Sequence, residues 1–493
     1  MGIEITETTF DERNYARFEE RVRACVAALR AVLARPGFGE GPGSLGAELE
    51  LDLIDGLGRP APINRKVLAE TVDPRVTLEV DRFNLEINAD PVPLAGAPFS
   101  RLAAGLEDAI AETRRAAARH GAEVAIIGIL PTLTEADLYA GALTEANRYQ
   151  ALSAGIRRLR HDVVPLRIEG QDRLELDLDD VTYEGANTSF QVHLRVAPAD
   201  YARTYNAVQI ATAPALAVAG NSPLFFGRRL WDETRVALFR QSADDRAGPA
   251  DNWRPSRVSF GHGWVRHGAA ELFAESVAMH EPILPIVSEE DPLVAVKAGR
   301  VPGLSELRLH QGTVWRWNRA VYDPAGQGHL RIELRAFPAG PTVADMAANA
   351  AFVLGLALGL RDGVETMLEG LTFGNARQNF YEAARRGLDA ILLWPDDSRG
   401  RVQPVAAPAL VLRLLSVARR GLSQVGVDAA EQDRWLSIIE RRAATGRTGA
   451  RWLAASYAKL LTDHPPLDAS RALLARYQDQ SHKGPPVHDW EWP

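Results

Sequence analysis

Gly46-Ala-Glu-Leu-Glu-Leu-Asp52 puts a carboxylate on every second residue from Glu48, with leucines between them. A β-strand sends successive side chains to opposite faces, so this stretch separates into an acidic face and an apolar face. Three further stretches repeat the pattern: Asn84-Leu-Glu-Ile-Asn88, Ser189-Phe-Gln-Val-His-Leu-Arg195 and Arg331-Ile-Glu-Leu-Arg335. If the four strands share a sheet, one face carries Glu48, Glu50, Glu86, Gln191, His193, Glu333 and Arg335. The other face buries Leu49, Leu51, Leu85, Ile87, Phe190, Val192, Leu194, Ile332 and Leu334.

Each stretch alone is weak, because a Glu-x-Glu strand is usually a solvated sheet face and a lone histidine is usually structural. Together they concentrate ligands for hard cations. Facing carboxylates repel, and divalent cations between them relieve the repulsion. Magnesium takes oxygen ligands and keeps places for water and phosphate; an imidazole among carboxylates also suits manganese. Glu333 and Arg335 share a face, setting a metal-binding carboxylate beside a phosphate-binding cation. That pairing suits phosphoryl transfer, which depends on positioning and charge neutralisation.

Composition narrows the classes. A net charge of −8 provides no general basic field for nucleic acid or an anionic membrane. Only Lys66, Lys297, Lys459 and Lys483 are lysines, so any phosphate or carboxylate clamp is built from arginine. Cys25 is the single cysteine, which excludes an intrachain disulfide and a Cys-based metal site. The N-terminal stretch lacks a signal-peptide pattern, and the apolar run Ala350 to Leu360 reads as a buried helix rather than a membrane span. A cytoplasmic protein is the expectation, with its oligomeric state left open.

Along the chain, periodicity predicts helices over 10–33, 98–120, 147–160, 198–219 and 228–240. A hairpin is expected from 312–318 and 328–337 around Tyr322-Asp-Pro-Ala-Gly326. Beyond Thr342-Val-Ala-Asp345 nearly everything to about Tyr477 reads as helix, and Trp490 and Trp492 in the polar tail suggest that it docks. The pattern is α+β, with an antiparallel or mixed sheet. The expected division is a catalytic part, residues 1–345, and a helical C-terminal subdomain with tail, residues 346–493.

The same motifs carry a family resemblance. Gly46-Ala-Glu-Leu-Glu50, Leu85-Glu86-Ile-Asn88, Asn147-Arg148-Tyr149, Gln191-Val-His193, Asn221-Ser-Pro223 with Thr234-Arg235, and Ile332-Glu333-Leu-Arg335 occur in family order. The chain resembles glutamate–cysteine ligase family 2, the carboxylate–amine ligases related to glutamine synthetase. The resemblance implies a β-sheet funnel of the glutamine synthetase type flanked by helices, with ATP held through Mg2+ (or Mn2+) on its polar face. It implies Glu48, Glu50, Glu86, His193 and Glu333 as metal ligands, and Arg335 and Arg235, with Glu333, as catalytic groups. Arg148, Gln191, Arg319 and His310 are then expected to bind substrate. The implied reaction joins the γ-carboxylate of glutamate, or a similar acid, to an amine such as cysteine through an acyl phosphate.

The chain departs from the family at Gly128-Ile-Leu-Pro131, where the family often has a polar pair expected to line the site. That departure motivates one alternative, the same chemistry on another acid or amine; two readings of other classes stand beside it, a non-catalytic ATP- or metabolite-binding homologue and a metal-dependent hydrolase needing no ATP.

Overall fold

The computed structural model describes residues 7–160, 164–178, 181–246, 253–395 and 401–493. The central sheet contains β1 (Ser44–Ile54), β2 (Val76–Leu78), β3 (Asn84–Pro93) and β4 (Glu123–Ala125). β5 (Val164–Glu169) and β6 (Arg173–Leu178) form a separate hairpin before β7 (Phe190–Val196) rejoins the sheet. A short hairpin, β8 (Leu224–Phe225) with β9 (Arg228–Arg229), precedes the last sheet strands, β10 (Asn318–Asp323) and β11 (His329–Leu334). The order is β10-β11-β7-β1-β3-β2, with β4 on the far end of β1. Every pairing in this seven-stranded sheet is antiparallel, which resolves the choice between antiparallel and mixed.

All four alternating stretches fall in this one sheet. Their registers set Glu48 opposite Gln191, Glu50 opposite Glu86, and Glu333 opposite both His193 and Arg319. Leu49, Leu51, Leu85, Ile87, Phe190, Ile332 and Leu334 are fully buried on the other face. Helices Pro98–Ala118 and Val343–Arg361 pack against the sheet strands. A buried leucine contributes about 1.5–3 kcal/mol relative to exposure, so slipping a strand by one residue would forfeit the apolar layer as well as the acidic face.

Helix Val343–Arg361 is the hub of the helical layers. Thr342 caps it, its Oγ1 accepting from the Asp345 amide at 3.1 Å, as Thr-Val-Ala-Asp predicts. Its 19 residues are long and apolar enough to cross a membrane, more than the Ala350–Leu360 run suggests, yet its first 16 positions are almost entirely buried among other helices. It packs on Tyr201–Ala219, Ala407–Gln424 and Ala429–Thr445. The contact with Ala407–Gln424 needs glycine: a Cβ on Gly421 would sit 2.0 Å from the Gly355 carbonyl oxygen.

Three predicted elements differ. The helix expected over 228–240 begins only at Thr234, because Phe226 and Gly227 turn the β8–β9 hairpin at positive φ. The expected strand 312–318 is mostly a turn following helix Ser305–Gln311, and β10 starts at Asn318. The C-terminal region is interrupted by a hairpin, β12 (Ile391–Pro395) with β13 (Val402–Ala406). The tail docks: Trp490 is 1% exposed, edge-on to Trp452 at 5.0 Å and to Tyr477 at 5.4 Å.

Candidate active site: an acidic sheet face and its arginines

The polar face resolves into two clusters. Glu48, His193 and Glu333 form one, and Glu50, Glu79 and Glu86 the other; in each, three ligand atoms lie within 4.8 Å of one another. His193 Nε2 is 3.4 Å from Glu48 Oε1 and 3.6 Å from Glu333 Oε1, and it is buried without a hydrogen-bond partner among the described residues. Burial alone would raise the Glu48 carboxyl, but attraction to His193 outweighs it and brings it down to about 2. Glu333 likewise resists burial, because Arg319 and then Arg335 hold it well below the usual carboxylate range.

The second cluster behaves oppositely. Burial, then repulsion from Glu86, pushes Glu50 up to about 7 against the pull of Arg235 and Arg335. Burial and Glu50 push Glu79 up to about 7; burial, Glu48 and Glu79 push Glu86 up to about 8. Three crowded carboxylates, Glu86 buried and Glu50 and Glu79 half-buried, that cannot all ionise comfortably are a donor set for a hard divalent cation. The residues present therefore fit Mg2+, and the imidazole of the first cluster also fits Mn2+.

The arginines stand beside this face. Arg319 grips Glu333 with two bonds, from Nε and, at 2.9 Å, from Nη2. It therefore holds a carboxylate of the face. Gln191 bridges the groups: its Nε2 donates to Glu50 Oε1 at 2.9 Å and its Oε1 accepts from Arg335 Nη1. The Ser189 amide donates to the other Glu50 oxygen at 2.7 Å. Arg235 Nη1 donates to Glu233 at 3.0 Å, and Glu233 in turn accepts from the Asn221 amide at 3.1 Å. Asn221 is itself anchored to Ala339 O and the Tyr477 hydroxyl, both at 2.8 Å. The Asn221-Ser-Pro223 motif thus braces Arg235.

Glu50, Glu79, Arg235 and Arg335 line a small cavity, walled on its apolar side by Phe239 and Trp317. Arg148, at the start of helix Asn147–Arg160, lies near enough to Glu79 and Glu184 to favour their charged forms.

Two expectations are corrected. His310 does not line the cavity: it lies in the last turn of helix Ser305–Gln311 with Nε2 bonded to the His280 carbonyl at 3.0 Å, and burial lowers its pKa to about 4. Ile129 and Leu130 do not line the cavity; both are buried in a second hydrophobic cluster with Leu166 and Phe225. Two residues were missed. Glu79 follows the three-residue strand β2 and continues the alternation Thr77, Glu79, Asp81, a signal too short to stand out. Glu184 sits on the helical turn Thr182–Gly185, where no periodicity marks it; burial pushes its carboxyl up to about 7.

The sequence matches glutamate-cysteine ligase family 2 over residues 44–473. The chain belongs to that family. Among solved structures, this family member is similar to a glutamate–cysteine ligase from Francisella tularensis in complex with AMP, at 12% identity and a TM-score of 0.53. The match covers 92% of this chain and 91% of that one, showing a shared fold. A bifunctional glutathione synthetase from Pasteurella multocida matches at 11% identity and a TM-score of 0.43, covering 95% of this chain and 55% of that one. The ligase PafA, solved in complex with the prokaryotic ubiquitin-like protein Pup, matches at 11% identity and 0.40, covering 86% and 71%. Curated protein sequences yield no match.

Proposed function

We propose that this family member is an ATP-dependent carboxylate–amine ligase that joins the γ-carboxylate of glutamate, or a similar acid, to an amine such as cysteine. The observation that carries this reading is the pair of three-ligand clusters on one sheet face, with Arg335 and Arg235 at the adjoining cavity. A binding-only site has little use for five carboxylates and an imidazole. A hydrolase would favour more histidines and an open water-bearing metal.

Glu48, His193 and Glu333 would hold one divalent cation and Glu50, Glu79 and Glu86 another; bound there, Mg2+ supplies neutralisation of the triphosphate. The chain's own groups do the rest. Arg335, held by Gln191 and Glu333, presents its guanidinium to the transferring phosphoryl oxygens. Arg235, braced by Glu233, steadies the acid at the cavity wall. The acid's carboxylate oxygen attacks the γ-phosphorus, the bond to ADP breaks, and an acyl phosphate results. The amine nitrogen then bonds the acyl carbon, phosphate leaves with the C–O electron pair, and nitrogen loses a proton. Phe239 and Trp317 keep one wall of the cavity apolar, which disfavours hydrolysis. The Francisella tularensis glutamate–cysteine ligase, which shares the fold, was solved in complex with AMP, and this supports nucleotide binding as part of the reading.

Ile129 and Leu130 pack in the second hydrophobic cluster rather than along the cavity, so that departure does not by itself favour a different acid or amine, and both stay open. The test is ADP release by purified protein, with glutamate fixed and the amine varied. ADP that needs both acid and amine, and is lost in Glu333→Ala with the fold intact, supports the reading. Full turnover in that variant, or turnover without ATP, removes it.

A further inference from the structure

Three oxygen acceptors on residues that line the cavity lack a donor among the described residues. Asn84 Oδ1, Asn187 Oδ1 and Glu184 Oε2 are buried with no hydrogen-bond partner among the described residues, and all three residues line the cavity. Asn84 and Asn187 are only 2% and 8% exposed, so bulk water does not serve them freely. Asn84 Nδ2 donates to Asp52 at 2.8 Å, and Asn187 Nδ2 donates to the Tyr183 and Glu184 carbonyls at 2.7 and 3.1 Å. Flipping the Asn187 amide would break two bonds to carbonyl oxygens, so its Oδ1 is fixed as an acceptor, and Asn84 presents its Oδ1 while its Nδ2 serves Asp52.

The three residues meet around one turn of chain, beside the buried Asp81 carboxylate, whose Oδ2 lies 2.4 Å from where a Cβ on Gly185 would stand. Asn84 Oδ1 lies 3.0 Å from where a Cβ on Gly185 would stand, and Asn187 is tied to the Glu184 backbone. Arg235 and Arg335, whose Nε atoms are also buried without partners among the described residues, line the same cavity. Native structures leave few buried polar atoms unpaired, and here the unpaired atoms carry both signs in one space.

We propose that Glu184, Asn84 and Asn187 form the receptor for a substrate ammonium group. An ammonium carries three N–H donors, which matches three acceptors, and Glu184 supplies the opposite charge for a charge-assisted bond. The guanidiniums across the cavity suit a carboxylate, so the space fits a molecule bearing both groups. The ligand is called a substrate on the strength of the ligase reading; the receptor itself stands on the geometry.

Calorimetry on the full chain without ATP tests this, using L-glutamate, its des-amino counterpart glutarate, and methylamine as probes. The wild type is expected to bind glutamate at least tenfold tighter than glutarate. Glu184→Gln should weaken glutamate at least tenfold and leave glutarate unchanged, which assigns the receptor to the acid's own ammonium. If glutamate and glutarate bind alike but methylamine binding is lost in Glu184→Gln, the ammonium is that of the attacking amine. Glu184→Asp, which keeps the charge, should retain more discrimination than Glu184→Gln at a matched melting temperature. Equal weakening of glutamate and glutarate, insensitivity of every probe to the substitution, or no binding of any probe to the wild type overturns the assignment. ADP release is read on parallel samples with ATP: discrimination without ADP keeps the receptor and removes the ligase reading.

Discussion

Replacing Trp490 with alanine should destabilise the protein far more than the same change at Trp492, two residues on. Trp490 is 1% exposed, edge-on to Trp452 and Tyr477, and its Nε1 donates to the Pro485 carbonyl at 2.8 Å. The returning bond, from Trp452 Nε1 to Glu491 O at 2.9 Å, pins the tail on its other side. Burying an indole removes about 200 Å² of largely apolar surface, which at about 25 cal/mol per Å² is roughly 5 kcal/mol. Large-to-small core substitutions at aromatics cost about 3–5 kcal/mol, and that is the expected loss. Trp492 is 36% exposed and touches the Arg447 guanidinium at 5.4 Å from its ring centre, a contact of about 0.5–1 kcal/mol. The assay is urea unfolding followed by circular dichroism on both variants and the wild type. Because Tyr477 also anchors Asn221, and through it Glu233 and Arg235, the Trp490 variant should lose ligase activity before it unfolds. Equal midpoints for the two variants would refute the reasoning that the tail is part of the core.

Glu79→Gln should raise the Mg2+ concentration needed for half-maximal ADP formation at least about tenfold, since it removes a charge from a three-carboxylate cluster; an unchanged Mg2+ requirement contradicts the cluster. Leu130→Thr should cost about 1–3 kcal/mol in a urea melt while leaving the KM for the acid unaltered, because Leu130 packs away from the cavity; a changed acid preference at unchanged stability contradicts that placement. Cys25 should resist alkylation in the native protein from pH 8 to 10 and react only after unfolding. Burial and then Glu306 push its thiol from 9.0 up to about 12, so the reactive thiolate stays scarce until the pH approaches that value. Native alkylation that accelerates between pH 8 and 10 like a free thiol contradicts the burial.

The sheet was legible because a period of two leaves little freedom: once Leu49, Leu85, Phe190 and Ile332 are buried, Glu48, Glu86, Gln191 and Glu333 must share the other face. What escaped lacks such a period. Glu79 lies beyond a strand only three residues long, and Glu184 lies on a single helical turn. His310 was placed by its position in the chain order, but Leu304, Leu307 and Gln311 follow helical spacing, and the helix carries the imidazole to the His280 carbonyl. Ile129 and Leu130 looked like site residues because their family counterparts are polar; as apolar side chains they gain more from the second hydrophobic cluster than from a polar cavity. The β12–β13 hairpin was hidden because Ile391-Leu-Leu-Trp394 is an apolar run too short to separate strand from helix.

The central claim is that the acidic face activates a carboxylate by phosphoryl transfer, and following oxygen tests it most directly. Glutamate labelled with 18O in its γ-carboxylate is turned over with ATP, Mg2+ and an accepted amine, and the released phosphate is analysed by mass spectrometry. The account predicts one 18O in each phosphate, carried over when the amine displaces it from the acyl carbon. Phosphate free of label, its new oxygen drawn from water, would contradict it.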